Sequence, residues 1–326
     1  MDIKEFSDRN KFAYSHCLKA VGNDSLANVL LKEFYEDNVI DLDKNFEDLE
    51  TIKKIGNRYL IKNIKAINTE YSDIFSVLYN DKIYFSSTRP SGIDNKKYKW
   101  NNQPYLDNYF LSKDSIVNNV SIINTEFHDA DITINRLNDD IYFSSSQPDE
   151  NIFLKKDQII TSKIFKATFD NGNLIKLTSL PFNSNEYSCK TPFFDFENKR
   201  LYFSSNMPNG KGGFDIYYVN VQDFNKVINV DDVNSINDED NFYIDSNKNI
   251  YFSSNGYVGF GGKDIYTKIY DKESKTYKRI MNVGYPVNSS ADDFGYKNID
   301  KKGFLPLIEV MEKAMMIFIH LLKQNL

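Results

Sequence analysis

One five-residue strand occurs four times in this chain and constrains its fold more than any other feature. The copies are Ile83-Tyr84-Phe85-Ser86-Ser87, Ile141-Tyr142-Phe143-Ser144-Ser145, Leu201-Tyr202-Phe203-Ser204-Ser205 and Ile250-Tyr251-Phe252-Ser253-Ser254. Their period of two puts Ile and Phe on one face and Tyr and Ser on the other. An Asn-[Ser/Thr] pair opens each unit, at Asn68, Asn124, Asn183, Asn234 and once more at Asn288, at intervals of 56, 59, 51 and 54 residues. Between opening and strand lie Asn/Asp/Lys clusters, Tyr79-Asn80-Asp81-Lys82, Leu137-Asn138-Asp139-Asp140, Glu197-Asn198-Lys199-Arg200 and Asp245-Ser246-Asn247-Lys248-Asn249. Such clusters suit hairpin turns, because Asn and Asp tolerate left-handed backbone and bond locally.

A Gly- or Pro-containing loop follows each copy, then a third strand, as in Leu106-Asp107-Asn108-Tyr109, Asp215-Ile216-Tyr217-Tyr218 and Asp264-Ile265-Tyr266. A fourth strand returns to the next opening. Four antiparallel strands per unit, five times over, predict an all-β chain: a five-bladed β-propeller with an incomplete last blade. The second unit departs from the rest: it lacks Gly-Gly-x-Asp and carries Lys163-Ile164-Phe165-Lys166 as its third strand.

The pattern Tyr-Phe-Ser-Ser-Asn followed by Gly-Gly-x-Asp-Ile-Tyr, seen at 202–217, resembles the WD40-like repeats of the TolB type. More narrowly, it resembles the propeller of the multidomain OmpA-family proteins of Bacteroidetes-type bacteria, over roughly residues 57–304. The resemblance implies a tetratricopeptide region before the propeller, and carboxypeptidase-regulatory-like and OmpA-type peptidoglycan-binding domains after it. It also implies a scaffold bound to a protein or envelope component, in the periplasm or at the outer membrane. Peptidoglycan would be reached only through a downstream domain that this chain does not carry.

Residues 1–40 read as a helical hairpin, with Gly22 as the break and Leu26, Val29, Leu30 and Phe34 at helical spacing. Leu18-Lys19-Ala20-Val21-Gly22 before Leu26-Ala27 is similar to a tetratricopeptide turn. One such unit cannot bury its own apolar face, so it reads as the end of a longer array or as a cap. Residues 41–56 read as a linker.

The other end changes texture. After Asp300-Lys301-Lys302-Gly303-Phe304 a serine-rich strand is due, but Leu305-Pro306-Leu307-Ile308 and a Met/Ile-rich run follow. Codons built from the third base of one residue and the first two of the next force Gly at Met311–Glu312, and Asp at Met315–Met316 and Met316–Ile317. Those residues fall where a Gly-Lys-Gly-Gly-x-Asp-Ile-Tyr loop needs them. Residues 305–326 are therefore expected to be a frameshifted tail of a truncated chain. The alternative is an amphipathic C-terminal helix with Leu307, Val310, Met311 and Ala314 on one face. The strand at 58–64 is expected to be the outermost strand of the same last blade.

Net charge is −6, and no dense Lys/Arg block stands out, which argues against nucleic acid as a partner. No apolar run is long enough to span a bilayer, and the start lacks a signal peptide pattern, so the chain as written reads as cytoplasmic. Cys17 and Cys189 form no zinc or redox spacing and are expected to be unpaired.

Candidate chemistry is sparse, and no cofactor or metal is expected. Asp245-Ser246-Asn247-Lys248-Asn249 begins like a calcium loop but has Ile250 and Gly256 where Gly and an acid are required. Gly256–Gly262 is glycine-rich yet lies between strands, so it reads as a blade loop. Asp107, Asp215 and Asp264 recur with Gly212, Gly213, Gly261 and Gly262, and are expected to bond turn backbone. His16, His128 and His320 are too scattered for a triad. Asp238-Glu239-Asp240 and Asp292-Asp293 could serve glycoside hydrolysis, though their repeat-equivalent place suggests solvated loops. Tyr98, Trp100 and Tyr105 are the candidate partner contacts. The favoured reading is a non-catalytic scaffold. A propeller glycosidase and a gene fragment without independent function are the alternatives.

Overall fold

The computed structural model describes residues 7–35, 49, 51, 59–90, 97–99, 101–148, 160–170, 173–299, 302–308 and 314–321. Two helices come first, α1 (Asp8–Ala20) and α2 (Asp24–Tyr35). Ser7 caps α1 by accepting the Asn10 N–H, and Gly22 turns the chain at φ +78°. Leu31, Phe12 and Phe34 pack on Val258 and Phe260 of a propeller loop. His16 Nδ1 lies 2.9 Å from Gly261 O, and Lys19 Nζ donates to Gly259 O. Part of the apolar face that a lone hairpin would leave open is thus covered by a propeller loop.

Four antiparallel four-stranded blades follow. The first joins Asp73–Tyr79, Lys82–Ser87, Asp107–Leu111 and Val117–Asn119. The second joins Asp129–Ile134, Ile141–Ser145, Lys163–Asp170 and Asn173–Ser179. The third joins Cys189–Asp195, Arg200–Ser205, Asp215–Asn220 and Asp223–Asn229. The fourth joins Glu239–Ile244, Ile250–Ser254, Asp264–Lys268 and Met281–Asn282. Asn80, Asp81, Asp139, Lys199 and Lys248 take left-handed backbone in the turns between first and second strands. First strands of successive blades touch in chain order, so they line a common axis.

Besides a small ribbon of Tyr270–Asp271 with Thr276–Tyr277, one further four-stranded sheet is present, and it corrects the expectation of five repeat blades. It joins Lys297–Ile299, Lys302–Ile308, Ala314–Leu321 and, at its outer edge, Tyr59–Asn63. The ring therefore holds four blades of the repeat pattern and one composite sheet drawn from distant parts of the chain. Its second strand pairs Lys297 with Phe304, whereas the repeat blades pair Val77, Thr133, Phe193 and Tyr243 with a repeat Tyr. Leu305–Leu307 then stands where Phe-Ser-Ser belongs. Residues 314–321 form a strand and not the alternative helix. A run of Ile and Phe, flanked by partners on both sides, suits a central strand.

Period-two alternation explains how the blades pack. Phe85, Phe143, Phe203 and Phe252 are fully buried on one face of their strands. Tyr142 and Tyr202, on the opposite face, stack on Phe194 and Phe242 of the following blade at 5.7 and 4.4 Å. Tyr142 shares one core with Phe203, and Tyr202 shares another with Phe252. The second, third and fourth repeat strands are thus buried on both faces, whereas Ile83 and Tyr84 of the first stay partly exposed. Every such aromatic contributes on the order of 2 kcal/mol by burial.

Candidate functional site

The loop end of the propeller, where fourth strands return to first strands, carries most of the repeated polar residues. The opening Asn works as a side-chain strand. Asn108, Ile164, Ile216 and Ile265 donate their N–H to Oδ1 of Asn124, Asn183, Asn234 and Asn288 at 2.7–2.9 Å. The same Asn residues donate Nδ2 to the carbonyls of those residues at 2.7–2.9 Å. Each Asn extends the ladder on a third strand where the fourth strand has ended.

The Ser or Thr after the Asn binds an acid that opens the first strand or, at Asp293, precedes it. Thr69 pairs with Asp73, Thr125 with Asp129, Ser235 with Glu239 and Ser289 with Asp293. The second Ser of Tyr-Phe-Ser-Ser closes this network from inside the blade. Ser87 donates to Asp73 at 2.6 Å, and Ser254 to Glu239 at 2.6 Å. The first Ser acts between blades. Ser86 and Ser144 accept the N–H of Asp131 and Thr191 on the next first strand, and Ser204 donates to Glu239 O. One serine therefore braces its own blade and the other ties it to its neighbour.

These acids correct the expectation of solvated loops. Glu239, Asp240 and Asp293 are at most 4% exposed, and Asp292 alone of the candidate pairs is exposed to solvent. Burial raises the carboxyl pKa to about 6 at Asp129, about 7 at Glu239 and about 8 at Asp293. Asp73 is instead paired with Arg89 at 2.6 Å. In the third blade the acid position is held by Cys189, whose thiol lies 3.5 Å from Ser205 Oγ and is pushed by burial to about 12. The acid is readable as a residue five after the opening Asn; Cys189 hides it, coming one residue later.

The Gly-Gly-x-Asp loops are seats for the next blade. Gly213 N–H donates to Asn237 O at 2.9 Å. A Cβ on Gly212 would stand 1.9 Å from Asn237 O, and one on Gly261 1.9 Å from Ala291 O. Cβ atoms on Gly213 and Gly262 would meet Oδ1 of Asp238 and Asp292 at 2.2 and 2.1 Å. Those aspartates accept the N–H of Phe214 and Lys263 at 2.8 Å. Asp215 accepts the N–H groups of Lys211 and Gly212, and Asp264 accepts that of Gly261 at 3.2 Å. Asp107 and Lys163 pair in register with Ser87 and Ser145, as Asp215 does with Ser205. Lys163 therefore occupies the Asp position of the aberrant second unit, and its Nζ donates to Asn185 at 2.7 Å.

Charges from different blades converge on the axis. Asp240 binds Lys190 at 3.2 Å and also Lys263. Burial works against its charge, but the two ammonium groups prevail and hold its carboxyl well below the usual range. Asp131 moves the other way: burial raises it, against the pull of Lys190. At the end where turns join first to second strands, here the hairpin end, the axis opens into a cavity of about 770 Å³ lined by Val77, Thr133, Phe193, Tyr243 and Lys297 among others. These residues are too varied in type for a repeat comparison to single them out.

Of the candidate contacts, Tyr98 and Tyr105 come together and Trp100 lies outside the described residues. His128 stands edge-on to both tyrosine rings, at 5.0 and 4.5 Å, and its Nδ1 accepts the Leu106 N–H at 3.0 Å. Burial lowers His128 to about 4, so it is neutral at physiological pH. Asp245 spends its carboxylate on the turn, accepting N–H groups of Asn247 and Asn249 at 2.8 and 2.9 Å. Among the described residues no group of His, Cys, Asp and Glu is placed to hold a metal ion. Among them, too, no helix is long and apolar enough to cross a membrane.

No family model matches the chain, and no curated protein matches it in sequence. Solved structures do align with it. TolB from Acinetobacter baumannii is 10% identical with a TM-score of 0.44, covering 81% of this chain and 55% of that one. A luciferin-regenerating enzyme is 11% identical with a TM-score of 0.45, covering 81% and 96%. A hypothetical protein from Leishmania major is 13% identical with a TM-score of 0.46, covering 84% and 94%. The β-propeller itself rests on the sheet order and packing described above.

Proposed function

We propose that this chain is a non-catalytic interaction propeller, of the kind that the OmpA-family resemblance implies for a cell-envelope scaffold. The observation that carries this reading is the use already made of its recurring acids. Asp73, Asp129, Glu239 and Asp293 brace blades, Asp215, Asp238, Asp264 and Asp292 fasten loops, and Asp240 is neutralised by two lysines. Acids held by main-chain, hydroxyl and ammonium donors serve to hold the fold together, which supports a scaffold over a catalyst. The Tyr98–Tyr105–His128 cluster, with Tyr98 40% exposed, supplies an amphipathic surface of the sort that anchors protein contacts.

A photo-crosslinking residue at position 98, with exposed Leu137 as control, tests this in envelope fractions. Capture of a defined polypeptide from position 98 but not from 137 is expected. Equal labelling from both would refute the contact surface.

A second reading has one observation in its favour. Asp131 and Asp240 reach the axis from different blades with pKa values displaced in opposite directions, the arrangement that separates a proton donor from a carboxylate. Hydrolysis of aryl glycosides, abolished by Asp131→Asn with the fold intact, would establish the glycosidase and overturn the scaffold.

A further inference from the structure

Five equivalent positions, one per four-stranded sheet, form the cavity ring at the hairpin end of the axis. Val77, Thr133, Phe193 and Tyr243 each pair with the repeat Tyr of the neighbouring strand, and Lys297 pairs with Phe304 at the same register. Four of the five are uncharged. Lys297 places its ammonium 5.7 Å from the Phe193 ring centroid and 5.1 Å from that of Tyr243. Among the described residues no carboxylate forms an ion pair with it, although Asp131 contributes a favourable field.

The acids around this cavity are committed elsewhere. Asp195 accepts the N–H groups of Glu197 and Asn198, and Asp245 is held by its own turn. Asp81 pairs with Lys113 at 2.8 Å, and Glu197 faces Lys248 at 3.9 Å. The other axial lysines, Lys190 and Lys263, are both spent on Asp240. Lys297 is thus a half-buried ammonium facing two aromatic rings and about 770 Å³ of space, with only the field of Asp131 and no ion pair among the described residues; Arg136, the other cation on the cavity wall without an ion pair among them, is exposed. That volume falls in the range that takes small molecules, and aromatic walls with one charged group are the usual lining of such sites. Burial lowers Lys297 to about 8, so it is largely cationic at neutral pH and would gain from a bound anion.

We propose that the hairpin end of the axis binds a small organic carboxylate with a six-membered ring, Lys297 pairing with the carboxylate while Phe193 and Tyr243 cover the ring. An aromatic acid and a uronic acid share this chemistry. The site does not depend on the interaction reading, because it lies at the opposite end of the first strands from the Tyr98 cluster.

Calorimetric titration of the full chain distinguishes the two sources. The probes are 4-hydroxybenzoate against 4-hydroxybenzyl alcohol, and D-glucuronate against D-glucose. At least one acid is expected to bind ten times more tightly than its neutral counterpart, with the preference lost in Lys297→Met and kept in Lys297→Arg. Far-UV circular dichroism reports whether each variant is folded. Should Lys297→Met not fold, NMR of ¹³C-methylated lysines in the unaltered chain decides, the Lys297 resonance being assigned from Lys297→Arg. A shift of that resonance with an acid but not with its neutral analogue supports the site. Acids binding no better than their neutral analogues, or binding unchanged in Lys297→Met, would overturn it.

Discussion

Replacing Asn234 by Ala tests whether the opening Asn is a structural strand substitute or a loop filler. Asn234 is 5% exposed and Ile216 fully buried, so the bonds between them are shielded from water. The substitution removes the acceptor for Ile216 N–H and the donors to Ile216 O and Asn229 Oδ1, at 2.8, 2.9 and 2.9 Å. A buried polar group left unsatisfied costs about 1–3 kcal/mol, and the Ile216 N–H is stranded here, whereas the Ile216 carbonyl keeps the Val230 N–H at 2.9 Å. Loss of the two amide donors adds to this and water entering the space recovers part of it, so the expected loss is about 2 kcal/mol. For a chain of this size that lowers the urea midpoint by roughly 0.7 M. Far-UV circular dichroism follows the unfolding, with the exposed Lys226→Ala as a control expected to stay within about 0.5 kcal/mol. Asn234→Asp adds a further test: it retains an acceptor for Ile216 N–H but turns a carboxylate oxygen toward the Ile216 carbonyl. Its loss should exceed that of Ala at neutral pH and shrink in acid. A loss below about 1 kcal/mol for Asn234→Ala would refute the argument.

Two further outcomes follow from the same geometry. Gly212→Ala should cost about 1–3 kcal/mol, because its Cβ meets main chain at 1.9 Å, and thermal unfolding should place it well below Gly22→Ala, which has open space and only an unfavourable φ to overcome. Stability should also fall as pH rises: Asp129, Glu239, Asp264 and Asp293 have folded-state pKa values of about 6, 7, 7 and 8, above the unfolded carboxylate range near 4. Their contribution is complete below about pH 4 and lost through pH 8, while lowered His16 and His128 oppose it only below about pH 6.5. The clean window is about pH 6.5–7.5, above which Lys297, lowered to about 8, opposes the trend; within it the urea midpoint should drop, and drop less in Glu239→Gln, and a flat profile would contradict burial of these acids.

The blades were legible because their residues repeat for shared reasons. Tyr-Phe-Ser-Ser packs two cores and braces two blades, so each copy keeps the same four side chains. The Gly-Gly pair is equally plain, since a neighbouring main chain leaves no room for a Cβ. Buried acids such as Glu239 and Asp293 were misjudged because an acidic pair reads as solvated until the Ser partners on another strand are known. The axial ring was illegible for the opposite reason: Val77, Thr133, Phe193, Tyr243 and Lys297 face open space, and no common neighbour imposes one residue type. In the tail, an apolar run without turn residues fits a helix or a central strand, and only the strand at 59–63 decides between them.

The pairing of Tyr59–Asn63 with Ala314–Leu321 also sets a clock on synthesis. The earlier strand leaves the ribosome about 250 residues before its partner, which at 5–20 residues per second is a wait on the order of 10–50 s. During that interval the four repeat blades can assemble in order, each tied to the one before by its serine. The first strand must meanwhile stay free of other edges. A chaperone that shields an extended segment near residue 60 would act in just that window, and its removal should harm newly made chains far more than folded ones.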